Sequence, residues 1–196
     1  ARAHGRSTFP GGRLRLTDFA RDVEVLIERI DLAPAHLVGS SLGALTALLV
    51  AERRSDLVRS LTLEDPPHLD EPTCHAYMDR LVQEVIPANE AAWAAPHLAL
   101  GPCHMREVLL ANFAADRREQ PEDQRRAVTD ANIIDRPVLI VAGDRDPVFP
   151  LVRALELRDR IAEAELLVLP RGGHLPHRVY PDLFNRVLLD FLARRS

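Results

Sequence analysis

"HLVGSSLGALTALLVAE", residues 36–52, sets two adjacent serines between glycines at the point where an apolar run changes its period. In Gly39-Ser40-Ser41-Leu42-Gly43 the glycines stand two residues either side of Ser41, whereas Ser40 has Val38 and Leu42 at those places. Only Ser41 fits G-x-S-x-G. The run before it is short and apolar, as a buried strand is, and the run after it is amphipathic at helical spacing. Where a strand turns sharply into a helix, the residue at the bend is held in a strained conformation, and side chains at both flanking glycine positions would clash with the turn. The outcome is an exposed hydroxyl at a helix N-terminus, where the Leu42 amide N–H and the helix dipole can face a developing negative charge. Taken alone, the same bracket also describes a structural turn serine.

The elements around this turn alternate. Thr17 is an N-cap candidate for a helix whose Phe19, Val23, Leu26, Ile27 and Ile30 share a face, and Pro34 stops it. Apolar runs suited to strands lie at 35–39, 60–64, 137–142 and 165–169. Amphipathic helices are expected at 41–51, 151–161 and 181–193. The last has Pro181 at its first position and Leu183, Phe184, Val187, Leu188, Phe191 and Leu192 as its apolar stripe. Such alternation implies an α/β fold, with a parallel sheet of about four strands covered by helices on both faces.

Between Asp65 and Asp135 the alternation lapses. The core therefore reads as residues 1–67 and 132–196, with a helical insert at 68–131 whose helices begin near Thr73, His104 and Pro121. Ligands of open parallel sheets bind at the C-terminal ends of the strands, so this insert is placed to roof a pocket. Met105 and Leu109 are its candidate substrate contacts, although apolar residues at helical spacing serve equally as an insert's own core.

A serine hydroxyl is a poor nucleophile until a general base takes its proton, and the base needs an orienting carboxylate. "VLIVAGDRDPVFP", residues 138–150, ends a strand and supplies Asp144 and Asp146; "VLPRGGHLPHRVYPDLF", residues 168–184, ends the next and supplies His174. The order Ser41, Asp146, His174 places each just past a strand end, where loops at one edge of the sheet can meet. Asp146 has a competitor in Asp65, at the end of "LTLEDPP", while Asp144 reads as a turn residue and His177 as a polar loop residue. Cys74-His75 and Cys103-His104 raise the question of zinc, but neighbours on a helix point about 100° apart and zinc sites use spaced pairs, so no metal is expected.

Composition sets the bounds. With 196 residues, 46% hydrophobic and 28% charged, the chain can bury one sizeable core. The formal charge is 25 − 29 = −4, and the arginine pairs at 117–118 and 125–126 are interleaved with acids, which describes a solvated helix face and no nucleic-acid footprint. All 25 basic residues are arginine, which excludes Schiff-base chemistry on a lysine and a lysine-held pyridoxal cofactor. No apolar run is long enough for a membrane span, and two cysteines give no disulfide framework, so a reducing, cytoplasmic location is expected.

These motifs together resemble those of the α/β-hydrolase fold, in its capped esterase, lactonase and carbon–carbon hydrolase members. "ARAHGRS" (1–7) is similar to the segment after that family's fourth strand, "HLVGSSLG" (36–43) to its nucleophile elbow, "LIVAGDRDPVFP" (139–150) to its acid loop, and "GGHLPHRVYPDLFNRVLLDFL" (172–192) to its histidine loop and last helix. By position the resemblance implies Ser41 as nucleophile, Asp146 as acid, His174 as base, the Leu42 amide as an oxyanion donor and His4 at the pocket mouth, as a substrate contact or equally a residue that stabilises its loop. It further implies hydrolysis of a small, largely apolar ester, lactone or related acyl compound through an acyl-enzyme, with no cofactor. The family's arginine-glycine-histidine-glycine run is Arg2-Ala3-His4-Gly5 here. Its first four strands, and the loop that gives the second oxyanion donor, have no counterpart in these residues, so the expected fold is the C-terminal part of such an enzyme. The rival expectations are a relative that binds a small ligand without chemistry and an inactive fragment.

Overall fold

The computed structural model describes residues 2, 7, 15–67, 76–77, 79–80, 83–84 and 134–195. The expected insert is therefore described only at six positions. His4, Met105, Leu109, Cys74, His75, Cys103 and His104 lie outside the described residues.

Four strands, β1 (Ala35–Ser40), β2 (Val58–Glu64), β3 (Val138–Gly143) and β4 (Ala164–Leu169), form one parallel sheet in the order β1-β2-β3-β4. The register pairs Gly39 with Leu63, Leu63 with Ile140 and Ile140 with Leu166, so the C-terminal ends of all four strands lie along one edge. Helices α1 (Leu16–Arg29), α2 (Leu42–Arg53) and α3 (Leu151–Arg160) share a core with one face of the sheet, through Leu61 and Leu63 of β2 and Val138, Ile140 and Ala142 of β3. Helix α4 (Pro181–Ala193) covers the other face, where Phe191 meets Leu139, Val141 and Leu169. Strand β3 is buried along its whole length, which is why it reads as an unbroken apolar run. None of the described helices is long and apolar enough to cross a membrane.

Helix α1 departs from its expected face. It starts at Leu16 after an N-cap at Arg15, whose backbone N–H donates to the Asp18 carboxylate at 2.9 Å, so Thr17 lies inside the first turn. Leu26 and Ile30 are each 57% exposed, because the buried arc runs through Leu16, Phe19, Ala20, Glu24 and Ile27. Glu24, 1% exposed, accepts from Arg21 at 3.1 Å and from Arg53 at 3.0 Å, tying α1 to α2 by directional bonds where an apolar residue would give none. On α4, Leu183 is 41% exposed and only partly belongs to the expected stripe.

Candidate active site

One side chain of interest stands just beyond the end of each strand: Ser41 after β1, Asp65 after β2, Asp146 after β3 and His174 after β4. Ser41 is the N-cap of α2 with φ 53° and ψ −120°, a left-handed conformation that a side chain rarely adopts. Its N–H donates to the Glu64 carbonyl at 2.9 Å, and its own carbonyl accepts from Ala44 and Leu45, so both sides of the bend are held. A Cβ on Gly39 would fall on the Gly43 carbonyl, which explains the first glycine of the bracket. The second differs from expectation: a Cβ on Gly43 would meet nothing within 4 Å, because the crowding comes from the Gly43 backbone and not from its side-chain position.

His174 joins the other two expected groups. Its Nδ1 lies 2.8 Å from Asp146 Oδ2 and its Nε2 lies 2.8 Å from Ser41 Oγ. An ionised carboxylate only accepts, so Nδ1 carries the proton in this pair and bare Nε2 is left to accept from the hydroxyl. Asp146 is fixed by a second bond, from the Val148 N–H at 2.7 Å. The Asp146 side chain is fully buried and that of His174 13% exposed, so the line of bonds is shielded from water on the acid side. The Leu42 N–H begins α2 and is one of the four amides that a helix cannot satisfy internally, next to the Ser41 hydroxyl.

The loops carrying Asp146 and His174 press against each other backbone to backbone. Arg145 N–H donates to the Gly172 carbonyl at 2.8 Å, and Asp144 N–H to that of Leu169 at 3.3 Å. A Cβ on Gly143 would sit 2.5 Å from the Gly173 carbonyl oxygen and 2.6 Å from that of Gly172, so only glycine allows this approach.

Asp65 does not take the acid's place against His174. Its Oδ1 accepts from the Gly143 N–H at 3.2 Å and its Oδ2 from the Leu175 N–H at 2.9 Å. Burial, reinforced by the neighbouring Asp146 charge, pushes the Asp65 carboxyl up to about 9 against those two donors. Asp65, Asp146 and His174 offer ligand atoms within 4.8 Å of one another, but those groups are already engaged in the hydrogen bonds just described.

Two features escape the reading of the sequence. Glu64, 2% exposed, accepts from the His177 backbone N–H at 2.8 Å and faces His177 Nδ1 with both oxygens, at 2.8 and 2.6 Å, so His177 is no idle loop residue. The available signal was an acid closing a largely buried strand, since a buried charge requires a partner. Tyr77 brings its ring to 6.3 Å from the His174 ring, and burial raises its phenol, with Asp146 adding to the effect. Nothing in its local sequence marks it.

The chain is 32% identical to the proposed carbamate hydrolase RutD of Variovorax paradoxus, over 92% of its own length and 74% of the relative's. It is 26% identical to 3-oxoadipate enol-lactonase 2 of Acinetobacter baylyi, over 98% and 76%. Among solved structures, the enol-lactonase of Burkholderia xenovorans superposes with a TM-score of 0.73 at 22% identity, covering 98% of this chain and 78% of that one. The model of the alpha/beta hydrolase family matches residues 1–187, a span that runs from before α1 into α4. Strand order, helix placement and sequence likeness lead to one conclusion: this chain is a member of the alpha/beta hydrolase family, with hydrolases among its relatives.

Proposed function

We propose that the protein is a serine hydrolase that cleaves a small ester, lactone or related acyl compound through an acyl-enzyme on Ser41. The observation that carries this reading is the unbroken line from Ser41 Oγ to His174 Nε2 and from His174 Nδ1 to Asp146 Oδ2, at 2.8 Å each. In the first half-reaction Oγ attacks the substrate carbonyl carbon while Nε2 takes the hydroxyl proton, and buried Asp146 stabilises the imidazolium that results. The carbonyl oxygen, now negative, faces the Leu42 N–H and the positive end of α2. Collapse expels the leaving group, which receives the proton from Nε2. Water then attacks the acyl carbon by the same route, its proton passing to Nε2 and on to Ser41 as the acid departs. The relatives' names support the substrate class, since carbamates and enol-lactones both present a carbonyl carbon bonded to a leaving heteroatom.

Treatment with a fluorophosphonate tests the proposal, with the adduct mapped by mass spectrometry and turnover measured on p-nitrophenyl acetate. A phosphonyl adduct on Ser41 is expected, with Ser41→Ala losing most hydrolysis and Ser40→Ala keeping much of it. Equal turnover by the two variants, or no adduct alongside tight binding of the ester, would refute the nucleophile and favour a ligand-binding role.

A further inference from the structure

We propose that Glu64 and Asp65, the consecutive acids at the end of β2, are positioning residues that grip the loop carrying His174 and hold its imidazole in line between Ser41 and Asp146. The inference rests on the reading of Ser41, His174 and Asp146 as the reacting groups.

The end of β2 touches all three loops of that set. It meets the serine turn through the Ser41 N–H on the Glu64 carbonyl, at 2.9 Å. It meets the strand leading to Asp146 through the Gly143 N–H on Asp65 Oδ1, at 3.2 Å. Immediately past His174 the two side chains take successive donors: Leu175 N–H on Asp65 at 2.9 Å, then the His177 N–H and ring on Glu64 at 2.6–2.8 Å. Both acids are almost wholly buried, at 2% and 0% exposure, Glu64 as the last residue of β2 and Asp65 just past it. Burying two adjacent carboxyl groups is costly unless specific donors meet them, and every donor named here belongs to a backbone or ring around the site.

The loop needs such a grip. Leu175 has φ 69° and ψ 58°, left-handed and unfavourable for a leucine, and Asp65, which holds its N–H, has φ 44°. Apart from those bonds, Leu175 is held locally only on its carbonyl side, which accepts from the Arg178 N–H at 3.1 Å, and relaxation at Leu175 moves the preceding residue, His174. The effect is on geometry: a shift of about 1 Å at a reacting group costs about 10²-fold in rate.

The experiment uses the full chain with Glu64→Ala, Asp65→Ala, Glu64→Gln, Asp65→Asn and His177→Ala. Each variant is read by kcat and KM on p-nitrophenyl acetate, by thermal melting, and by the downfield proton resonance of His174 Nδ1–H. The alanine variants are expected to lower kcat by about 10- to 100-fold with KM within about two-fold, and to broaden or abolish the resonance. The amide variants should recover part of both, since an amide oxygen still accepts an N–H. His177→Ala, at a half-exposed position, should lower kcat less, because Glu64 still holds the backbone N–H. Folded alanine variants with wild-type kcat and an intact resonance would overturn the proposal, as would lowered kcat with the resonance unchanged. Should both alanine variants fail to fold, His177→Ala decides, and an unaltered kcat and resonance would overturn it. Failure of the underlying reading looks different: Ser41→Ala would then keep its turnover.

Discussion

Gly143→Ala offers a stringent test of how the acid and histidine loops share their space. The added Cβ would lie 2.5 Å from the Gly173 carbonyl oxygen, whereas ordinary contact begins at 3.4 Å, so the loops must separate by about 3.4 − 2.5 = 0.9 Å. If that displacement passes along the line from Asp146 to His174, the Oδ2–Nδ1 distance of 2.8 Å becomes about 3.7 Å, beyond hydrogen-bond range. A misplacement of that size costs about 10²-fold in kcat/KM. Overpacking a closed backbone contact should also cost about 1–3 kcal/mol, which for a chain of this length lowers the melting temperature by roughly 2–12 °C. The assays are p-nitrophenyl acetate hydrolysis and scanning calorimetry. Gly173→Ala is the matched control for stability, since a Cβ there meets nothing within 4 Å and its melting temperature should stay near that of the wild type. A Gly143→Ala protein with unchanged kcat/KM and melting temperature would show that the two loops have slack and that their clearance does not set the Asp146–His174 distance.

Three further outcomes follow from the same geometry. Asp146→Asn should cut kcat far more than Asp65→Asn, because only Asp146 bonds the imidazole directly while Asp65 acts through the backbone of its loop, and the reverse ranking in steady-state kinetics would move the acid to the end of β2. Asp65 keeps its proton in the folded chain up to about 9 but releases it near 3.9 when unfolded, so its contribution to stability is full below about pH 4 and is lost as pH rises towards 9. Urea melts at pH 5, 7 and 9 should show wild type losing stability relative to Asp65→Asn, and a gain would mean that Asp65 is ionised in the fold. Phe191→Ala, which empties the centre of the contact between α4 and the sheet, should cost about 3–5 kcal/mol by urea melting, and a loss under about 1 kcal/mol would show that α4 collapses into the space.

The parts legible in sequence are those set by short-range pattern. The bracket around Ser41 is visible because the bend needs a glycine at position 39 and a helix directly after it, and both are local. Strand β3 is visible because burial on both faces leaves no polar position to interrupt the run. Leu26 and Ile30 mislead because an apolar stripe records what a helix could bury, while the arc actually buried runs through Leu16, Ala20 and Glu24, the last of which reaches Arg53, 29 residues away. The grip of Glu64 on His177 spans 113 residues, so neither motif carries its half of the pair in a recognisable form. Asp65 was a candidate on position alone, and only the direction of its two oxygens separates a holder of backbone amides from a partner of imidazole.

The placement of one group at each strand end has a bearing on biosynthesis. Ser41 is synthesised 133 residues before His174, and the strand that delivers the histidine is the last of the four to emerge. A growing chain can form the β1–α2 turn early, from neighbours in sequence, yet the His174 ring that meets its hydroxyl arrives only when β4 docks on β3. On the proposed reading, Ser41 therefore lacks its general base until that docking takes place. On that reading reactivity arrives in one late step, when β4 docks on β3, so an aborted chain released before β4 has been made carries Ser41 without the group that would take its proton.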